Sequence, residues 1–280
     1  NICSHDGGYS TFRAHITDLL WSENVLTVEV DNSVNNRIYP QKADFTFYGG
    51  IYRDVSLLVV NKSHIALGHF GDTGVKITPA LKEGSADIQV ETLVEGEGTV
   101  TVELLDAEGR TAAKGDGEKA FLHLDAPHLW NGVKDPYLYT CIVRLLQDGK
   151  PVDEVTTKVG IRSFSVDAKK GFFLNGKPYP LHGVSRHQDR KGLGNAITRE
   201  MHDEDMALIR ELGANTVRLA HYQHDQYFYD LCDQYGMVVW AEIPYISEHL
   251  PNGRENTISQ MKELIHQNYN HPSIVCWGVS

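Results

Sequence analysis

Residues 182–189 read His-Gly-Val-Ser-Arg-His-Gln-Asp, and residues 214–224 read Ala-Asn-Thr-Val-Arg-Leu-Ala-His-Tyr-Gln-His. Each run carries a strand-like stretch into an Arg and a His. Arg offers a rigid fork of donors that is always charged, and His a neutral ring that donates or accepts. Together they suit a polar substrate rich in hydroxyls. At the C-terminal ends of two consecutive parallel strands, Arg186, His187, Arg218 and His221 would line one rim, where a (β/α)8 barrel carries its chemistry. A structural use of Arg186, pairing with Asp189 or capping a loop, competes with that reading. His182, inside the expected strand, reads as a core histidine, and His224 is a weaker candidate than His221. Glu242 ends a third strand within Trp240-Ala-Glu-Ile-Pro244. A carboxylate there serves a substrate, a metal, or Arg218 as a structural partner. Glu248 and His249 in the following loop read equally as rim or solvated surface.

The elements that must hold these groups follow from the patterning. After Val166 strands and helices alternate: Leu181–Val184, helix Arg199–Leu212 with Met206, Ile209 and Leu212 on one face, Asn215–Ala220, helix Asp225–Tyr235, Met237–Ile243, helix Thr257–Asn270 and Ser273–Ser280. Nearly continuous apolar strands between helices imply a parallel sheet with right-handed crossovers. Four such units make the first half of a TIM (β/α)8 barrel, so the chain reads as a fragment. Residues 1–165 read as β-structure, with strands at Leu26–Asp31, Arg53–Val60, Ala86–Val94, Thr99–Leu105, Tyr139–Gln147 and Pro151–Ile161. Asp148-Gly149 between the last two is a hairpin signal. Short strands at this spacing imply a β-sandwich. The polar break Asn61-Lys-Ser63 separates 1–60 from 61–165, and 166–280 forms the third piece.

The 280 residues carry 26 Lys and Arg against 37 Asp and Glu, a net charge of −11. No basic run is longer than two residues, which argues against nucleic acid or an anionic membrane as partner. No apolar run approaches the roughly 20 residues of a membrane span. Cys3, Cys141, Cys232 and Cys276 lie far apart, which reads as unpaired thiols of a cytoplasmic protein. No His-x-x-x-His or His-Glu-x-x-His pattern sits on a helix, which argues against a zinc hydrolase.

Several runs resemble glycoside hydrolase family 2. Gly49-Gly-Ile-Tyr-Arg-Asp-Val55 is similar to the end of that family's sugar-binding jelly roll. Phe172-Phe-Leu-Asn-Gly-Lys-Pro178, His182-Gly-Val-Ser-Arg-His187 and Asn215-Thr-Val-Arg-Leu-Ala-His-Tyr222 resemble the opening of its barrel, and Asn270–Ser280 the strand that leads to its Asn-Glu pair. The resemblance implies a multidomain β plus α/β chain: part of a jelly roll (1–60), an immunoglobulin-like sandwich (61–165) and half a TIM barrel (166–280). Residues 187–195 are most similar to the β-galactosidase members. The implied parent is therefore a retaining β-galactosidase acting on β-galactosides as a homo-oligomer, with β-glucuronidase or β-mannosidase as alternatives. A non-catalytic carbohydrate-binding or scaffold protein is the alternative of another class. His187 and His221 would bond sugar hydroxyls, Arg218 would organise carboxylates, and Asp44 would reach the site from the jelly-roll loop. The acid/base Glu is expected just beyond Ser280, leaving this fragment alone inactive. Magnesium and sodium are implied as cofactors, with Asp44 and Glu242 as candidate ligands. Glu248 and His249 are adjacent where some members space a magnesium-binding Glu and His by one residue.

Overall fold

The computed structural model describes residues 2–279; the expected end of the last strand at Ser280 falls outside them. In chain order come β1 (His64–Ile65), β2 (Val75–Lys82), β3 (Ser85–Thr92), β4 (Val94–Glu95), β5 (Thr99–Leu105), β6 (Thr111–Asp116), β7 (Lys119–Asp125), β8 (Tyr139–Gln147) and β9 (Lys150–Val159). One antiparallel sheet has the order β2-β3-β7 and a second β6-β5-β8-β9, while β1 pairs with β4. Strict alternation buries Ala86, Ile88 and Val90 of β3, Val100, Val102 and Leu104 of β5, and Cys141, Val143 and Leu145 of β8 in one shared apolar core. The two sheets therefore face each other across that core. The β8–β9 hairpin turns on Asp148 and Gly149 with φ of 51° and 73°, the left-handed pair that a two-residue turn requires. The expected strand Ala86–Val94 breaks at Thr92, because Val94 pairs with Ile65 instead.

The first segment departs from expectation. Among the described residues up to 63 there is no strand, only one 3-10 turn at Thr17–Leu19. The jelly-roll strands expected at Leu26–Asp31 and Arg53–Val60 are not formed. A strand needs a neighbour for its backbone N–H and C=O groups, and none lies alongside. Val25, Leu26, Val28, Val30, Val55, Leu57 and Val59 are left exposed. The segment is nevertheless tied down. The buried Tyr39 accepts at its hydroxyl from Leu250 N–H (2.6 Å) and donates its own N–H to Asn256 Oδ1 (3.0 Å). His5 Nε2 sits 3.0 Å from Glu263 Oε1.

A small antiparallel sheet of β10 (Phe164–Asp167), β11 (Gly171–Leu174) and β12 (Lys177–Pro178) leads into the α/β part. There β13 (Gly183–Arg186), α1 (Arg199–Glu211), β14 (Thr216–Leu219), α2 (Gln226–Tyr235), β15 (Val238–Glu242), α3 (Arg254–Asn268) and β16 (Ile274–Gly278) alternate. The strands are parallel in the order β13-β14-β15-β16. The helices cover one face, where Val217, Leu219, Val239, Ala241 and Ile274 pack with Met206, Ile209, Phe228, Tyr229 and Leu264. Asp225 starts α2 by accepting from Tyr227 N–H at 2.9 Å, and Gly236 ends it in the left-handed conformation at φ 75°.

Two helical faces differ from the apolar spacing. Leu212 is exposed, and α1 buries His202, Met206 and Ile209 instead. In α3 the buried face is mostly polar, with Asn256, Gln260, Glu263 and Asn268 around Leu264. That face meets Tyr39 and His5 of the first segment, so hydrogen bonds take the place of apolar contact.

Candidate active site at the strand ends

Neighbouring strands align Ser185, Arg218, Trp240 and Cys276 in one row and Arg186, Leu219, Ala241 and Trp277 in the next. Alternate rows face opposite sides of a sheet. Leu219 and Ala241 belong to the helix-side core, so Arg218 and, two residues beyond Trp240, Glu242 project from the opposite face.

Glu242 is fully buried, whereas the Arg218 side chain keeps 39% of its surface. Arg218 donates through Nε to Glu242 Oε1 and through Nη2 to Oε2 at 3.1 Å. Both carboxylate oxygens thus lie on one guanidinium edge, a bidentate charge-assisted pair. His221 Nδ1 lies 3.1 Å from Glu242 Oε2 and 3.1 Å from Arg218 Nη2. The carboxylate favours a proton on Nδ1, which leaves Nε2 as a bare acceptor. Arg218 Nη1 has no protein partner among the described residues.

His187 follows β13, its ring centroid 5.4 Å from that of His221. The Tyr222 hydroxyl accepts from Gln188 N–H at 3.0 Å, which leaves its own proton for His187 Nδ1 at 3.4 Å. His187 then carries its proton on Nε2. Burial, and after it the neighbouring His221, lowers its pKa below the ordinary histidine value, so the ring is neutral at neutral pH. Burial pushes the Tyr222 phenol up to about 12, so it remains protonated. Tyr9 stacks on it at 4.4 Å. The pair presents one donor and one acceptor side by side, a pattern that matches neighbouring hydroxyls.

Asp44 is exposed, but its segment reaches this mouth. The Phe45 ring lies 5.0 Å from His187, 5.9 Å from His221 and 5.3 Å from Tyr222, and the Asp44 charge is felt at His187. Arg53 fastens the same segment by donating to Tyr9 O and, at 2.8 Å, to Gln223 O. Phe45 and Tyr9 escape a reading aimed at titratable residues; the aromatic cluster Phe45, Phe47 and Tyr48 beside Asp44 is the signal that marks the place.

Three expectations need correction. Arg186 does not face the mouth. It is buried on the helix side, with Nε and Nη2 on Asp205 Oδ2 (3.0 and 2.7 Å), Nη1 3.0 Å from His224 Nδ1 and Nη2 3.0 Å from His202 Nδ1. Its guanidinium also lies over Phe228 at 3.8 Å, which commits it to the helix side and away from a substrate. His182 precedes β13 and is exposed, not a core residue. Glu242 does not fit a magnesium ion, because Arg218 and His221 take both oxygens and the adjacent guanidinium repels a cation. Asp44 and Glu242 also belong to neither cluster of three or more His, Cys, Asp or Glu side chains with metal-ligand spacing among the described residues. His224 is fully buried and held well below the usual histidine range by burial and Arg186, which makes it structural.

The family profile described as "Glycosyl hydrolases family 2, TIM barrel domain" matches residues 165–280, and "Glycosyl hydrolases family 2" matches residues 69–162. A β-glucuronidase of Bacteroides fragilis is 40% identical over 100% of this chain and 44% of its own length. A β-galactosidase of Thermoanaerobacter pseudethanolicus is 31% identical over 99% of this chain and 39% of its own. The crystal structure of an FMN-binding β-glucuronidase from Facaelibacterium prausnitzii superposes with a TM-score of 0.92 at 42% identity, covering 99% of this chain and 44% of that one. The chain thus spans less than half the length of these relatives.

Proposed function

Because the chain belongs to glycosyl hydrolase family 2, we propose that its strand-end cluster is the sugar-binding half of a retaining β-glycosidase site whose substrates are β-glucuronides. The observation that carries the reading is the His187–His221 pair beside an Arg218 that Glu242 holds rigidly. His187 Nε2–H donates to one hydroxyl, His221 Nε2 accepts from its neighbour, and the open Nη1 of Arg218 attracts an anionic or acceptor group. The names of the relatives at 40% and 38% identity favour the glucuronide. β-Galactosides are the second reading, supported by residues 187–195 and by the relative at 31%.

Retention requires an acid/base and a nucleophilic carboxylate about 5–5.5 Å apart. Glu242 is committed to Arg218 and supplies neither, so this reading assigns both roles to sequence following Ser280. Under it, 61–165 is the immunoglobulin-like sandwich and 166–280 half the barrel. The test is a panel of nitrophenyl β-glycosides against the longest polypeptide that carries this chain. The glucuronide should give the highest kcat/KM. A higher value for the galactoside selects the second reading. Saccharide binding without hydrolysis of any glycoside selects a carbohydrate-binding protein and overturns the enzymatic one.

A further inference from the structure

A second constellation lies away from the strand ends, where the loop between β1 and β2 meets α3. His69, Asp72 and His266 each bring one ligand atom to within 4.8 Å of the others. His69 Nδ1 stands 2.9 Å from Asp72 Oδ2, and His266 Nδ1 stands 3.6 Å from the same oxygen. Metal–ligand bonds of about 2.0–2.2 Å in a tetrahedral zinc site put neighbouring ligand atoms roughly 3.3–3.6 Å apart. Shifts of a few tenths of an ångström to about 1 Å would bring these three atoms to those edges.

We propose that His69, Asp72 and His266 form a zinc site, completed by water, that joins the loop ahead of β2 to α3. Two imidazoles and one carboxylate suit zinc better than magnesium or calcium, which prefer oxygen alone. The ligands are held in advance. Asp72 Oδ1 accepts from Gly74 N–H at 2.8 Å, which turns Oδ2 to the two rings. Arg13 Nη1 donates to Asp72 O (2.5 Å) and Leu67 O (2.8 Å), and Gln267 Nε2 donates to Phe70 O at 2.8 Å. The loop is thereby pinned from the first segment on one side and from α3 on the other. Phe70 holds a left-handed φ of 49°, unfavourable for a bulky side chain, and stacks on His266 with ring centroids 4.7 Å apart. Side-chain exposures of 39% for His69, 33% for His266 and 14% for Asp72 leave a path for the ion and its water. The Lys76 charge is felt at His266 and Lys262 lies over the Phe70 ring at 5.5 Å, and neither bonds a ligand atom.

The experiment is calorimetric titration of the purified chain with zinc chloride, together with melting curves at rising zinc concentration. Wild type is compared with His69→Gln, His266→Gln and Asp72→Asn. Wild type should bind one zinc that each variant loses or binds at least tenfold more weakly, a loss no smaller than that of a single outer-sphere partner at a metal site. Its Tm should climb with zinc while those of the variants do not, since a ligand that binds only the folded state stabilises it. Asp72→Asn keeps the contact with Gly74 N–H and so the loop, and it decides the matter should either His variant fail to fold. Equal zinc affinity and equal melting response in wild type and Asp72→Asn would overturn the site.

Discussion

Replacing Glu242 by Leu tests whether the strand-end cluster is built around one buried ion pair. The substitution removes the acceptor of two Arg218 donors and of His221. Taking one partner from a fully buried pair costs about 3–5 kcal/mol. Arg218 keeps 39% of its side chain exposed and can rehydrate, so about 2–3 kcal/mol is expected here. At roughly 2–4 °C per kcal/mol for a chain of this size, Tm falls by about 5–10 °C. Arg218→Met leaves the carboxylate, which has no exposed surface, with His221 as its remaining partner, and costs about 3–5 kcal/mol. The double variant Arg218→Met/Glu242→Leu removes both charges and should be more stable than Arg218→Met alone, since an apolar pair can replace a buried ion pair at little cost. Urea and thermal unfolding of the four proteins supply the cycle. Single costs that add to within about 0.5 kcal/mol would show the two groups to be uncoupled and would refute the reasoning. Saccharide affinity should drop in all three variants, including the stable double one.

Other outcomes follow from the same geometry. Asp44→Asn, at an exposed residue beside His187, should weaken glycoside turnover and leave Tm unchanged; a lowered Tm with unaltered kinetics would make Asp44 a turn residue. His202 lies beside Arg186, and burial with that charge pulls its pKa down to about 4. Between the ordinary 6.5 and that value the unfolded chain binds the proton and the folded one does not, so stability falls as pH falls. His202 alone then costs roughly 2 kcal/mol between pH 7 and pH 5, and His202→Gln should flatten that part of the urea-unfolding profile; an unchanged slope refutes it. All four cysteines are free thiols. The exposed Cys3 should react first with a thiol reagent and Cys276 more slowly. Cys141 and Cys232 should react only after unfolding, because both are buried and the Cys141 thiol is pushed up to about 12.

The parallel sheet was legible because Val238–Ala241 and Ile274–Trp277 are nearly continuous apolar runs, and because Gly213 and Gly236 stop helices of ordinary length. Arg186 was not legible. A shift of one residue carries a side chain to the other face of a sheet, and only the pairing of Ser185 with Arg218 shows that Arg186 aligns with Leu219 on the helix side. The same pairing brings His187, one residue further on, round to the mouth. Glu242 had two readings, and choosing between them needed the distance to Arg218. The buried face of α3 was hidden because Asn256, Gln260 and Glu263 bond to Tyr39 and His5, more than two hundred residues away in the chain. Leu26–Asp31 shows the opposite failure: its alternation is real, but a strand is a relation between two segments.

Asp233 has a consequence for how the molecule comes apart. Its carbonyl accepts from the buried Trp130 Nε1 at 2.9 Å, and its carboxylate takes His271 Nδ1 at 2.6 Å and Ser273 N–H at 3.1 Å. Arg162 runs alongside, donating to Pro272 O (2.9 Å) and Ile274 O (2.8 Å). The segments before β8 and after β9, the end of α2 and the entry to β16 are thus knotted together. Separate folding units joined by a flexible tether melt independently, whereas units sharing a buried polar knot lose it only together. The antiparallel part and the α/β part should therefore give a single calorimetric transition, and cutting the side-chain links with Trp130→Phe and Arg162→Met should resolve it into two.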